Sequence, residues 1–261
     1  MFDICRKNAT FAHMIERYSR NRIYLSEEEQ EQIKRFRILL GGAGIGSIIA
    51  ECALRFGFEC ITVVDGDRVE LSNLNRQNYE NDDIGKYKAK CLARRLKRIN
   101  PYADVRFVAD FIDNDNVGEM ICNCDIAVNA LDFKSDIPFV FDRLCAEKGI
   151  YVLHPYNLGW AGLLTVIHPD GHRVSELSDG EYRGFELKMA EYVSGNITEQ
   201  KWLDNIIEQY KKEYKTLPPP QLAVASWIVA GLCVEAIYRI ATGKRIKCFP
   251  DFYLSSLRLG E

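Results

Sequence analysis

No Cys-x-x-Cys pair occurs in this 261-residue sequence, although it holds nine cysteines. Internal repeats and low-complexity segments are absent too, which excludes solenoid and tandem-array architectures. Neither sign of charge dominates: 34 Lys and Arg stand against 37 Asp and Glu, a net charge of −3. Such a balance exerts no global pull toward nucleic acid or an anionic membrane. The opening Met1-Phe2-Asp3-Ile4-Cys5-Arg6 lacks the long apolar run of a signal peptide. Together with irregular cysteine spacing, it predicts reduced thiols in a cytoplasmic protein. The most apolar stretch, Leu222 to Val234, contains Ser226 and lies between Gln221 and Glu235. It is read as a buried helix too short to span a bilayer, so no membrane residence is expected.

What is present is apolar substance and alternation. A hydrophobic content of 47% supports one large core, hence one domain or a closely fused pair. Phe11 to Phe36 reads as mostly polar helix, with Ser26-Glu27-Glu28-Glu29 as a capped start. Arg37-Ile38-Leu39-Leu40 and Cys60-Ile61-Thr62-Val63-Val64 read as strands buried on both faces, joined by a helix from Ile45 to Phe56 that Gly57 ends. Lys88 to Ile99 is a helix stopped by Asn100-Pro101. Strands at Val105 to Val108, Ile126 to Asn129 and Tyr151 to His154 follow, with helices at Asn114 to Cys122 and Phe139 to Lys148 between them. This alternation predicts an α/β fold, Rossmann-like and doubly wound, with a mostly parallel sheet. After a strand at Gly162 to Ile167, the polar stretch 171–215 reads as loop with helical pieces. The stiff connector Leu217-Pro218-Pro219-Pro220 leads into an apolar helix from Gln221 to Ile240. The expected organisation is an N-terminal helical arm (1–36), a Rossmann-like nucleotide-binding domain (37–170), and a crossover segment with the C-terminal, acceptor-binding part of the same domain (171–261), which supplies a strand and helix extension.

The chemistry begins at Leu40-Gly41-Gly42-Ala43-Gly44-Ile45-Gly46-Ser47. Gly41, Ala43 and Gly46 fall on a G-x-G-x-x-G frame with alanine in the middle, and a second frame runs through Gly42, Gly44 and Ser47. Either frame lies between a strand and a helix, where backbone N–H groups and the helix N-terminus face an anion. Asp65 ends the next strand, 24 residues after Gly41, where a carboxylate accepts bonds from ribose hydroxyls. These residues leave NAD and ATP both open.

The continuation carries more. Val63-Val64-Asp65-Gly66-Asp67 is followed by Ser72-Asn73-Leu74-Asn75-Arg76-Gln77. This pattern resembles the ubiquitin-activating-enzyme-like superfamily, whose small bacterial members are the ThiF, MoeB and HesA proteins. The likeness extends to Arg17-Tyr18-Ser19-Arg20, Gly85-Lys86-Tyr87-Lys88, Arg98-Ile99-Asn100-Pro101, Asp125, Asp132 and the late apolar helix. It implies an adenylyltransferase that uses ATP and Mg²⁺ to activate a carboxylate as an acyl-adenylate, releasing pyrophosphate. The implied partner is a ubiquitin-like or sulfur-carrier protein, or a peptide with a free C-terminus. Gly41, Ala43, Gly44, Gly46, Asp65 and Asp67 would then cradle the nucleotide. Arg76 and Lys88 would meet its phosphates, with Asn73 and Gln77 as neutral donors beside them. Asp132 matches the aspartate that holds Mg²⁺, and Arg20 an arginine that reaches into the neighbouring subunit's site, which implies a homodimer.

Two departures from that family sharpen the expectation. Many relatives hold zinc on two Cys-x-x-Cys pairs, whereas the first would fall here on Asp170-Gly171-His172-Arg173-Val174-Ser175, and Cys122-Asn123-Cys124 is too tightly spaced. No zinc is predicted. No cysteine lies between Cys145 and Cys233, so an acyl-enzyme thioester on a crossover loop is not expected. Cys145 reads as a core residue. Two other functions compete: an ATP-dependent tRNA dehydratase or cyclase of the same superfamily, and a nucleotide-binding docking protein without catalysis. The seven basic residues between Lys86 and Arg98 favour the former, but they read equally as a solvated helix face, and nucleic acid is not the expected partner. Tyr156-Asn157-Leu158-Gly159-Trp160 is a candidate for the groove that takes a substrate tail.

Overall fold

The structure is a computed structural model that describes residues 16–198 and 200–258. Seven strands form one sheet: β1 (Arg37–Gly41), β2 (Cys60–Val64), β3 (Asp104–Val108), β4 (Ile126–Asn129), β5 (Tyr151–Asn157), β6 (Gly162–Ile167) and β7 (Tyr253–Ser255). Their order is β3-β2-β1-β4-β5-β6-β7. The first five are parallel, while β6 and β7 add on antiparallel. Central strands are mostly apolar, as suits a sheet covered by helices on both faces. Ile38 and Leu40 of β1 enter one core, Leu39 the other. β3 lies at the edge and carries the charges of Asp104 and Arg106, paired at 2.8 Å, which discourage strand addition.

The first core is closed by α1 (Glu27–Arg35), α2 (Gly46–Phe56), α3 (Lys88–Ile99) and α8 (Ala223–Ala241). The second lies under α4 (Val117–Met120), α5 (Ile137–Glu147) and α6 (Phe185–Gly195), and α7 (Lys201–Tyr210) packs outside α6. Each fully buried Ile or Leu in these layers, such as Ile48, Ile49 and Leu54, contributes about 1.5–3 kcal/mol of burial. The doubly wound α/β expectation is met.

Three local expectations change. The arm is not one helix to Phe36: its first fifteen residues lie outside the described residues, and from Tyr18 the chain makes a 3-10 turn (Ser19–Asn21) before α1. The restart at α1 is the expected capping box, with Ser26 Oγ accepting from the Glu29 N–H at 3.1 Å and Glu29 Oε2 from the Ser26 N–H at 2.9 Å. The helix expected from Asn114 shrinks to α4, because the Asp113 side chain accepts the N–H groups of Asp115 and Asn116 and holds a turn instead. α8 covers 19 residues and by length and composition alone is long enough to cross a bilayer, which corrects the argument from the shorter apolar stretch. It packs against α1, α2, β5, β6 and β7. Its approach to β6 is so close that a Cβ on Gly162 would lie 2.7 Å from the Val229 nitrogen. No sequence pattern positions the strand of the C-terminal extension, which is the short β7.

The Arg17-Tyr18 and Asn100-Pro101 motifs meet in space. Buried Asn100 donates to Glu59 Oε1 at 3.0 Å and to the Tyr18 hydroxyl at 3.2 Å, and that hydroxyl donates to Glu59 Oε1 at 3.0 Å. Burial and the Glu59 carboxylate push the Tyr18 pKa up. Asn100→Ala removes a donor from a buried carboxylate, so a loss of about 1–3 kcal/mol is expected, read as a lower urea midpoint.

Candidate functional site

Strand order reverses between β1 and β4, and at that switch point the C-terminal ends of parallel strands open a crevice. Here it is a cleft of about 540 Å³. Its first wall is the turn from β1 into α2. Gly42 holds φ +97°, and a Cβ there would stand 2.3 Å from the Ala130 carbonyl oxygen, so only glycine fits. Ile45 gives α2 no side-chain cap; the Ser47 and Ile48 N–H groups turn back to the Gly44 and Ile45 carbonyls, and the positive end of the helix faces the cleft that Gly44 and Ile45 line.

Asp65 ends β2 and stitches this turn to the next. Its Oδ2 accepts the Ala43 N–H at 2.6 Å and its Oδ1 the Asp67 N–H at 2.7 Å. Burial raises its pKa, opposed by those bonds and by Lys88. Lys88, the first residue of α3, reaches back to Asp67 Oδ2 at 3.1 Å. Of Lys86, Lys88 and Lys90, only Lys88 is buried and lines the cleft.

The next wall is a 3-10 turn (Leu71–Asn73) and the residues after it. Asn73 Oδ1 accepts the Glu70 N–H at 3.0 Å, and its carbonyl accepts the N–H groups of Arg76 and Gln77. Arg76 Nη1 donates to the Ser72 carbonyl at 2.9 Å and Asn75 Oδ1 at 2.8 Å, and Nε donates to Gln221 Oε1. All three partners are neutral, and partial burial lowers the Arg76 pKa. A guanidinium thus lines the cleft with no acidic partner among the described residues. Gln77 completes this wall, its Nε2 beside Gly44 and its Oε1 buried without a hydrogen-bond partner.

Across the cleft, beyond β4, Asp132 is exposed and pairs with Lys134 Nζ at 2.7 Å, which raises the Lys134 pKa. Below it Asn129 Nδ2 donates to Asp142 Oδ1 at 2.8 Å, and His154 Nε2 meets both Asp142 oxygens at 2.8–2.9 Å. Tyr156 and Glu186 close this end.

Asp65, Asp67, Asn73, Arg76, Gln77, Lys88, Asp132 and Gly44 thus gather on one cleft. Gly41, Ala43 and Gly46 do not line it. Gly41 is the last residue of β1, Gly46 the first of α2, and Ala43 is fully buried with its N–H spent on Asp65. The lining frame is the second one, through Gly42 and Gly44. Its third residue, Ser47, is buried and turns its hydroxyl inward to Gly44 O at 2.7 Å. Arg20 sits exposed on the arm, away from the lining of this chain's cleft. Cys145 is buried on α5, and no cysteine lines the cleft among the described residues. No cluster of three metal-ligating side chains occurs among those residues. Phe111, Lys134, His154, Glu186 and Gln221 joined the site without a motif to announce them; only their places near strand or helix ends could have pointed there.

The sequence model described as the ThiF family matches residues 18–256. The SAMP-activating enzyme E1 of Haloferax volcanii is 32% identical over 164 residues, which are 61% of this chain and 60% of that protein. The sulfur carrier protein ThiS adenylyltransferase of Bacillus subtilis is 32% identical over 162 residues, 60% of this chain and 48% of that protein. The chain therefore spans about half to three-fifths of these relatives' length. Among solved structures, PaaA superposes with a TM-score of 0.68 at 21% identity, covering 94% of this chain and 80% of that one. At that identity the likeness concerns the fold alone.

Proposed function

This chain belongs to the ThiF family, and from that premise we propose that it is an ATP-dependent adenylyltransferase. Its substrate is the C-terminal carboxylate of a ubiquitin-like or sulfur-carrier protein or of a peptide, converted to an acyl-adenylate with release of pyrophosphate. The observation that carries this reading is Arg76, a half-buried cation held only by neutral partners beside an uncapped helix start. Such a group meets its anion when polyphosphate enters. A carboxylate approaching an anionic α-phosphate needs alignment and positive charge more than a base. In this reading Gly42 and Gly44 let the backbone approach the phosphates, Asp65 takes the ribose, and Arg76 and Lys88 neutralise developing charge. Asp132 suits Mg²⁺, which takes one or two carboxylates beside substrate phosphates and supplies charge neutralisation there, with Lys134 yielding its place. Arg20, exposed on its turn, completes the partner's site in a homodimer.

The adenylate passes to an external nucleophile, consistent with a cleft that no cysteine lines among the described residues. The tRNA reading is less favoured by the basic run. Lys88, Arg94, Arg95 and Lys97 are already engaged with Asp67, Asp83, Glu51 with Glu80, and the Ala103 carbonyl. The decisive measurement is exchange of labelled pyrophosphate into ATP with Mg²⁺ and sulfur-carrier proteins ending in Gly-Gly. Exchange that requires one carrier is expected. ATP binding without exchange would favour a docking protein, and no ATP binding would overturn the reading.

A further inference from the structure

The cleft is lined by more than its nucleotide motifs. Lining residues outside those motifs include Phe133, Tyr156 and Leu158, with Glu186 on α6 beside them. The Glu186 carboxylate receives backbone N–H groups, including that of Phe133, but no cation pairs with it among the described residues. Neighbouring carboxylates already have partners: Asp132 pairs with Lys134, and Asp142 is hydrogen-bonded to Asn129 and His154. The unmatched acid lies close enough to Asp132 and Tyr156 for their charges to be felt. A second, independent observation sits beside it. Tyr156 is 6% exposed, and its hydroxyl is buried without a hydrogen-bond partner. An orphaned buried hydroxyl costs about 1–3 kcal/mol, and a ligand N–H donating to its oxygen would remove part of that deficit.

We propose that this part of the cleft is a subsite for a primary amine, whose ammonium group is held by Glu186 and by the phenolic oxygen of Tyr156. The charge deficit calls for a cation, and the walls discriminate among cations. Mg²⁺ keeps several waters and an all-oxygen shell, which apolar and aromatic walls do not supply, whereas an alkylammonium places its carbon chain against them. That this amine is the acyl acceptor rests on the adenylation reading above. In that step the amine nitrogen's lone pair forms the C–N bond to the acyl carbon. The acyl C–O bond breaks, its electron pair leaving on the AMP phosphate. Of the two protons the ammonium loses in becoming an amide N–H, the first passes to the Glu186 carboxylate before attack, freeing that lone pair, and the second passes to the departing phosphate oxygen. Burial raises the Glu186 pKa, which suits a group that takes a proton.

The test uses the whole chain without ATP. Binding of n-propylammonium is measured by calorimetry at constant ionic strength, with tetramethylammonium and Mg²⁺ in parallel, on wild type, Glu186→Gln and Tyr156→Phe. Propylammonium should bind wild type and tetramethylammonium should not, because it has no N–H to give. Affinity should fall about 10–100-fold in Glu186→Gln and about 2–10-fold in Tyr156→Phe. Tyr156→Phe loses no internal hydrogen bond, so its melting temperature should hold and it stands in if Glu186→Gln misfolds. No propylammonium binding, equal binding by both variants, or a Glu186-dependent response to Mg²⁺ alone would each overturn the proposal. Because ATP is absent, a failure of pyrophosphate exchange would count against adenylation and leave this result intact.

Discussion

Gly42→Ala should lower stability by about 2–5 kcal/mol, the sum of a left-handed backbone forced on an L-residue and overlap with a neighbouring carbonyl. For a domain of this size that is roughly 5–15 °C in melting temperature. The cause is local and specific: φ is +97°, and the new methyl would stand 2.3 Å from the Ala130 oxygen. That oxygen belongs to the backbone just beyond β4, so relief requires β1 and β4 to part at the mouth of the cleft. Gly44→Ala is the control. Its φ is ordinary, and the nearest atom is Gln77 Nε2 at 3.4 Å, the movable end of a side chain. Its stability should stay within about 1 kcal/mol of wild type, while ATP affinity falls because a methyl occupies the phosphate approach. Thermal melting and ATP calorimetry on both variants decide the matter. Equal melting of Gly42→Ala and wild type would mean that the turn is not built as described.

The largest catalytic effect is expected at Arg76. Its alanine variant should lose about 10²–10³-fold in carrier-dependent pyrophosphate exchange, the usual scale for one charge-stabilising donor in a water-poor site. Stability should change little, because the guanidinium's contacts are to neutral groups and no buried carboxylate is orphaned. Arg76→Lys should recover only part of the rate, since an ammonium cannot reproduce the planar fork that also holds Gln221 and Ser72. Exchange within threefold of wild type in the alanine variant would remove Arg76 from the chemistry.

Most of the sheet was readable because its strands are short apolar runs punctuated by Gly, Asn and Pro. Lys88–Ile99 emerges with the expected ends, since its amphipathic period runs from a turn to Asn100-Pro101. The failures have physical causes. The break after Tyr18 is set by a hydrogen bond to Glu59, 41 residues away, which no local periodicity records. β7 has three residues and owes its conformation to pairing with β6. In the site, residues near one another in the chain were legible, from Asp65 to Lys88. The choice between glycine frames was not, because it depends on the sign of one φ angle. Glu186 and Tyr156 were invisible as a pair: one comes from α6 and the other from β5, and only the packing of the polar stretch against the sheet joins them.

The bond between Arg76 and Gln221 joins positions 145 residues apart. A chain emerging from the ribosome would therefore lay down the glycine turn, the acidic strand end and the Arg76 loop long before the segment that clasps them exists. The parallel strands can align early, but one wall of the cleft waits for Pro218, Pro219 and Gln221, which lead directly into α8. Competence to hold ligand thus waits for this later segment. A growing chain carries Arg76 without this partner until position 221 has emerged.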